Sequence, residues 1–407
     1  MKLPPLLRSL AHRNFRLYFL GQAVSLIGTW MQQVALAWLV WQITGSAWWL
    51  GLVGFASQVP SFFLGPVAGV VVDRRPRHRI LLWTQSLAMV QAFVTAALAA
   101  FAPTDTPQER LLLALDILGL GAFLGLVNAF DLPARQAFLT EMVASREDLA
   151  NAIALNSSIF NGARLVGPAL AGLVLYLAGA AVCFTINGVS YLAVLAALLA
   201  MDVPPEPERS EEPFGKRLRE GVAYAFTFPP IRDLILLLAL VSLVGMPYAV
   251  LLPVFATEIL GGGALVLGLL SAATGVGALC GALLLAARKS VVGLGRWIAL
   301  GPGAFGLAVT GFALSAWLWL SLLMLFLAGF ALMMHMAASN TVLQTIVDED
   351  KRGRVMSLYT MAFMGMAPLG SLLAGALAER FGRGCGRSTC AWASCRRWRR
   401  VSSRRAA

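Results

Sequence analysis

Residues 47–79 read AWWLGLVGFASQVPSFFLGPVAGVVVDRRPRHR. From Ala47 to Val72 there is no charged side chain, and then Asp73, Arg74, Arg75, Arg77, His78 and Arg79 follow almost without a break. An uncharged stretch of about 20 residues or more is long enough to cross the hydrocarbon core of a bilayer as a helix. A burst of arginine directly after it marks the side on which the chain re-enters water.

The rest of the 407 residues repeats that pattern. Hydrophobic residues make up 58% of the chain and charged ones 13%, where a soluble domain carries about 25% charged. Mean hydropathy is +0.75. So much apolar mass exceeds what a single water-exposed core can hold, which excludes an ordinary soluble enzyme, a nucleic-acid reader and a disordered chain. Eleven apolar runs are expected to span, at about 15–43, 47–72, 79–101, 110–130, 148–177, 179–201, 233–258, 264–287, 296–314, 316–345 and 354–378. The first is too long for a signal h-region and is read as an uncleaved anchor.

Sidedness follows from the cations. With the N-terminus in the cytoplasm, the inner segments hold 21 Lys and Arg, among them Arg8, Arg13, Arg77, Arg135, Arg146, Arg232, Arg288, Arg296 and Lys351, whereas the outer segments before residue 380 hold only Arg110. That bias predicts a multi-pass membrane protein with a cytoplasmic N-terminus. Net charge is +12, but nine of the 32 cations lie from Arg380 onward; the 23 before it face all 20 acids, a net of +3. Five cysteines fit neither a disulfide framework nor a zinc pattern, and no Gly-rich loop ends in Lys-Ser or Lys-Thr. No cofactor, metal or nucleotide is expected.

Residues 1–201 are read as an N-terminal six-helix bundle, 202–232 as a cytoplasmic linker, 233–379 as a five-helix C-terminal bundle and 380–407 as an atypical basic tail. In the linker Phe214, Leu218, Val222 and Phe226 recur every four residues, which fits an interfacial amphipathic helix and equally a solvated one. The halves echo each other: Phe138–Val143 corresponds to Val342–Val347, and Gly167-Pro168-Ala169-Leu170-Ala171-Gly172 to Ala367-Pro368-Leu369-Gly370. A six-span unit used twice is the architecture of a rocking transporter with its site between the repeats.

Gly69, Asp73, Arg74 and Arg77 then resemble the loop signature of the major facilitator superfamily, with Pro76 at the inner Gly position and His78 at the second basic one. The resemblance implies a gating role, Asp73 bracing the start of span 11 near Arg354. Asp131–Ala137, Asn151–Ser157 and Arg352–Ser357 look like the branch containing bacterial enterobactin exporters. Gly167, Pro168 and Gly172 are similar to the fifth-span signature of proton-coupled efflux members, and close helix packing explains the same residues. The fold implied is an all-α polytopic membrane protein of two pseudo-symmetric six-helix bundles with the twelfth helix missing. The function implied is secondary export of a siderophore or drug-like molecule by alternating access, by a monomer exchanging protons. Uptake of a small nutrient, or an inactive product of a frameshifted gene, are the alternatives. The abrupt change after Gly382 to Arg-, Cys- and Trp-rich text is what a shifted frame would give; a native basic tail is the other reading.

Ionisable groups inside spans are costly and usually have a partner or a task. Asp116 stands where drug antiporters carry an Arg in span 4, and Arg164 lies in span 5; the two are expected to pair or to share a pathway. His335 in span 10 could titrate near neutral pH or simply pack. Trp30, Gln33, Gln58, Asn156, Asn161, Tyr248, Asn340 and Gln344 are cavity candidates, each able instead to join helices. Trp38, Trp41, Trp48 and Trp49 are read as an aromatic belt.

Overall fold

A computed structural model describes residues 5–143, 146–202, 224–288, 290, 292–348 and 351–385. The linker residues 203–223, with Phe214, Leu218 and Val222 of the expected amphipathic helix, and the tail from 386 lie outside the described residues. Phe226 is described and is exposed.

Eleven long helices follow in order: α1 Arg13–Thr44, α2 Ala47–Arg74, α3 Arg77–Phe101, α4 Pro107–Glu141, α5 Arg146–Ala178, α6 Ala180–Leu199, α7 Pro229–Ile259, α8 Gly263–Ala286, α9 Leu294–Leu314, α10 Leu318–Ile346 and α11 Arg352–Cys385. No strand is present among the described residues. All eleven are long and apolar enough to cross a membrane. In hydrocarbon the backbone must satisfy its own polar groups, which a helix does within one segment. At a rise of about 1.5 Å per residue, the 32 residues of α1 reach beyond the lipid core. The turns are built from local chemistry: Gly45 ends α1 with φ +56°, and Thr106 and Glu109 form a reciprocal capping box at the start of α4. α7 is irregular, passing through π-type turns at Val241–Gly245 and Phe255–Ile259 and a 3-10 turn at Met246–Leu251.

Within α1–α6 the closest pairs are α1 with α5 and α6, α2 with α4, and α3 with α4 and α6; α8 with α10 and α9 with α10 match two of these in the second half. The halves meet through α2 against α11 and α5 against α8. Exchanging each helix for the one six places on turns one contact into the other. Individual glycines follow the same exchange. A Cβ on Gly167 would strike Trp30 and the Ile27 carbonyl of α1, and one on Gly370 the Leu243 carbonyl of α7. Five residues on, a Cβ on Gly172 would stand 2.7 Å from the Gly268 Cα of α8, and one on Gly375 2.9 Å from the Gly51 Cα of α2. α6 covers α1 and α3; no described residue occupies the equivalent position beside α7 and α9, where Val244 and Leu314 are 71% and 79% exposed.

The two membrane faces differ in how the halves touch. At the face opposite the N-terminal segment, one apolar cluster joins both: Trp38, Leu39, Leu50 and Leu175 pack with Leu252, Ala256, Leu267 and Leu270. Trp41 Nε1 donates to Thr257 Oγ1 at 2.9 Å, and Ser46 Oγ to Glu379 Oε2 at 3.0 Å. At the face carrying the N-terminal segment (the basic face), the clusters stay separate: Phe15, Tyr18, Leu81, Phe138 and Leu198 in one half, Ile231, Leu238, Leu343 and Tyr359 in the other. Among the described residues, the halves thus share one buried core on one side and keep separate cores on the other.

Two expectations need correction. Span 4 does not end near residue 130: α4 runs to Glu141 with Pro133 inside it. The charges that end the apolar run, Asp131 and Arg135, lie one turn apart and bond to each other, so neither must reach water. The four tryptophans are not one belt either. Trp38 lies in the shared core and Trp41 bonds across the halves, while Trp48 is exposed.

Candidate functional site: a cleft between the halves

Midway along α5, Arg164 stands with its guanidinium carbon 5.7 Å from the centre of the Trp30 ring on α1. Phe160, one turn earlier on α5, meets Trp30 edge to face at 5.7 Å. Tyr248 of α7 lies within electrostatic reach of Arg164. Its ring packs against Phe305 at 6.0 Å. Local sequence explains the close approach: Gly167 lets α5 reach α1 at Trp30, and Gly275 of α8 sits where a Cβ would touch the Arg164 carbonyl and the Leu165 Cα. Three helices from both halves therefore bring a cation and aromatic rings to one place.

No described carboxylate lies within 4.0 Å of the Arg164 guanidinium. A guanidinium over an aromatic face keeps part of its stabilisation without water, but its five donors remain available to an anion. This is the chemistry of a site that accepts a negatively charged or strongly polarised group next to a planar one.

Asp116 and Arg164 are not brought together. Asp116 is on the exposed side of α4, beside Leu112 and Leu115. His335 is fully buried between α10 and α9, with Nδ1 3.1 Å from the Ile298 carbonyl. A carbonyl only accepts, so Nδ1 carries the hydrogen; Nε2 is buried without a partner among the described residues. Among the cavity candidates, Trp30, Asn156, Asn161, Tyr248 and Asn340 are half-buried, and Gln33, Gln58 and Gln344 are exposed. Asn161 and Gln58 bond to carbonyls one turn back on their own helices, Ser157 at 2.9 Å and Gly54 at 3.1 Å, and Gln344 donates to Asn340. Gly167, Pro168 and Gly172 are buried where α5 passes α1 and α8.

In the loop signature, Gly69, Asp73 and Arg74 fall in the last turns of α2 and Arg77 opens α3. Arg77 Nη1 pairs with Glu141 Oε1 at 2.6 Å, at the end of α4 in the same half, and a Cβ on Gly69 would meet nothing within 4 Å.

A second polar centre went unread in the sequence. The Asp131 carboxylate accepts from Thr84 Oγ1 at 2.7 Å and Gln85 Nε2 at 2.6 Å on α3 and from Arg135 Nε at 3.1 Å, while Arg135 also donates to Gln22 on α1. Nearby, Asn187 of α6 donates to Gln32 of α1 at 2.6 Å, and Gln32 to Gln91 of α3 at 3.0 Å. These bonds tie α1, α3, α4 and α6 into one body. The signal available in sequence was Asp131 and Arg135 at a spacing of four.

Among known proteins, the family model described as "Transmembrane secretion effector" matches residues 5–391. The staphyloferrin A transporter of Staphylococcus aureus is 27% identical over 90% of this chain and 89% of its own length. The multidrug efflux pump Tap of Mycolicibacterium fortuitum is 28% identical over 86% and 85%, and the enterobactin exporter EntS of Escherichia coli 28% over 90% and 85%. A crystal structure of a bacterial homologue of the human lysosomal transporter Spinster, inward-facing and unoccupied, superposes with a TM-score of 0.70 at 18% identity, covering 94% of this chain and 85% of that one. Helix order, paired interfaces and family match agree: the chain belongs to the transmembrane secretion effector family of the major facilitator superfamily, and it is a multi-pass membrane transporter of small molecules.

Proposed function

We propose that the chain exports an anionic, partly aromatic or amphipathic small molecule of the siderophore type across a bacterial inner membrane, taking it up at Arg164 from the cytoplasmic side. The observation that carries this reading is the Arg164 guanidinium over Trp30, beside Phe160 and Tyr248, with no described acid paired to it. An iron chelator offers carboxylate or phenolate oxygens to the arginine and a body to the rings. The names of the staphyloferrin A and enterobactin relatives support that class.

Residues 1–201 and 233–379 act as the two moving bodies, and the basic face is the cytoplasmic one, as the distribution of arginine supports. The shared core at the opposite face and the separate cores at this one support a loading state open to the cytoplasm. Gly69, Asp73, Arg74 and Arg77 engage the start of α11 when that face closes. The driving ion is the proton, and the transporting unit is a monomer.

Everted vesicles test the reading, with iron-free enterobactin and iron-free staphyloferrin A as anionic probes and a cationic macrolide as control, each with and without a proton gradient. Accumulation of an anionic probe should fall at least tenfold in Arg164→Gln, in keeping with about 1.5–3 kcal/mol for a charge-assisted hydrogen bond, while Arg164→Lys retains part. Anionic probes accumulated equally by wild type and Arg164→Gln would remove Arg164 from the site. Accumulation that ignores the gradient would remove the proton.

A further inference from the structure

On the far side of α9 from α7, the protein carries a lateral groove that belongs to no part of the central cleft. Its volume is about 690 Å³ and it runs between α9 and α10, walled by Trp297, Leu300, Ala304 and Leu307 on one side and Met324 and Leu327 on the other. Leu300 and Leu307 are 68% and 76% exposed, so the groove opens sideways, towards lipid. From Arg296 to Leu307 it follows α9 for about 17 Å along the helix axis, the reach of an extended acyl chain.

Two arginines close its end at the basic face. Arg288 follows the end of α8, and Arg296 lies in the first turn of α9 after Gly293, whose φ of +86° turns the chain back. Both are exposed and both line the groove. Arg288 Nη2 donates only weakly, at 3.4 Å, to the Val292 carbonyl, and neither guanidinium has a described carboxylate within 4.0 Å. Arginine alone at this level would merely record sidedness. Two guanidinium forks with no described acid beside them, at the mouth of an apolar, chain-length groove and next to a tryptophan at the water boundary, match a phosphate headgroup joined to an acyl chain.

We propose that this groove binds an anionic phospholipid, its phosphate on Arg288 and Arg296 and one acyl chain along Leu300, Ala304 and Leu307. The lipid then braces α9, which among the described residues has only α10 as an extensive neighbour.

The test uses the full chain in detergent micelles, titrated with phosphatidylglycerol or phosphatidylcholine of identical chains and followed by native mass spectrometry and thermal unfolding, with inorganic phosphate as a third arm. Phosphatidylglycerol should bind at least tenfold more tightly than phosphatidylcholine. The double variant Arg288→Gln/Arg296→Gln should lose about 30-fold in affinity for it, about fivefold per arginine. Ala304→Trp, which fills the groove without changing charge, should weaken both lipids. Inorganic phosphate at equal concentration should not raise Tm. Equal binding of the two lipids by wild type, a preference that survives in the double variant, unchanged binding in Ala304→Trp, or equal protection by inorganic phosphate would each overturn the proposal.

Discussion

Gly172→Ala should push the transporter out of the state described here. A Cβ at that position would lie 2.7 Å from the Gly268 Cα and 3.1 Å from the Ala264 carbonyl, both backbone atoms of the opposite half. Neither can swing aside as a side-chain tip could, so α5 and α8 must separate by some tenths of an ångström at the closed face. Overpacking of this kind costs about 1–3 kcal/mol, a factor of about 5 to 150 in a two-state equilibrium. The cost is felt only while α5 and α8 touch there, so it favours the state in which that face is open. Ser371, 4% exposed on α11 against Gly51 of α2, reports it: as Ser371→Cys in a cysteine-free background, its maleimide labelling rate should rise by that factor with Gly172→Ala. Gly375→Ala, the same contact after exchange of the halves, should act in the same direction. Labelling unchanged in a variant that reaches the membrane in normal amount would refute the claim that this contact holds the face shut.

Three further outcomes follow from the polar groups. Asp131→Ala leaves the half-buried Arg135 with Gln22 but without its acid and should lower stability by about 3 kcal/mol in thermal unfolding; Asp131→Asn/Arg135→Met should recover most of it. His335→Asn keeps a donor for the Ile298 carbonyl while removing Nε2, so an unchanged pH profile of transport would mark His335 as a packing residue, and a lost one as part of the coupling path. Asp116→Asn, on the exposed side of α4, should leave both transport rate and pH profile unaltered; a tenfold loss would contradict that placement.

What the sequence disclosed and what it hid have physical causes. Eleven spans and their order were legible because lipid demands long uncharged runs, and the end of α2 because arginines stop one. Hydropathy failed at α4, where Asp131 and Arg135 look like water-facing charges until each is seen to neutralise the other. It failed again at Trp38 and Trp41, since tryptophan near a span end serves a belt or a helix contact alike. Arg164 stood out as an intramembrane charge, but its neighbours Trp30 and Tyr248 come from other helices, and rotation about each helix axis decides which residues share a site. Asp116 illustrates the same limit: an intramembrane acid one helix before Arg164, it sits on the exposed side of α4. The paired glycines Gly172–Gly268 and Gly375–Gly51 were visible only as small residues in spans. Their meeting needed the register between halves.

The central claim is that one cleft between two rocking halves is reached from one face at a time. Asn340→Cys, half-buried on α10, can be labelled with a membrane-impermeant maleimide in right-side-out and in everted vesicles. Each is prepared with and without a short bismaleimide bridge between Trp41→Cys and Thr257→Cys, the residues bonded across the closed face, formed and quenched before Asn340→Cys is probed. With the bridge in place, Asn340→Cys should label only in everted vesicles and transport should stop; without it, labelling from the other side should appear as substrate is added. Labelling from both sides in the bridged protein, or transport that continues through it, would contradict the account.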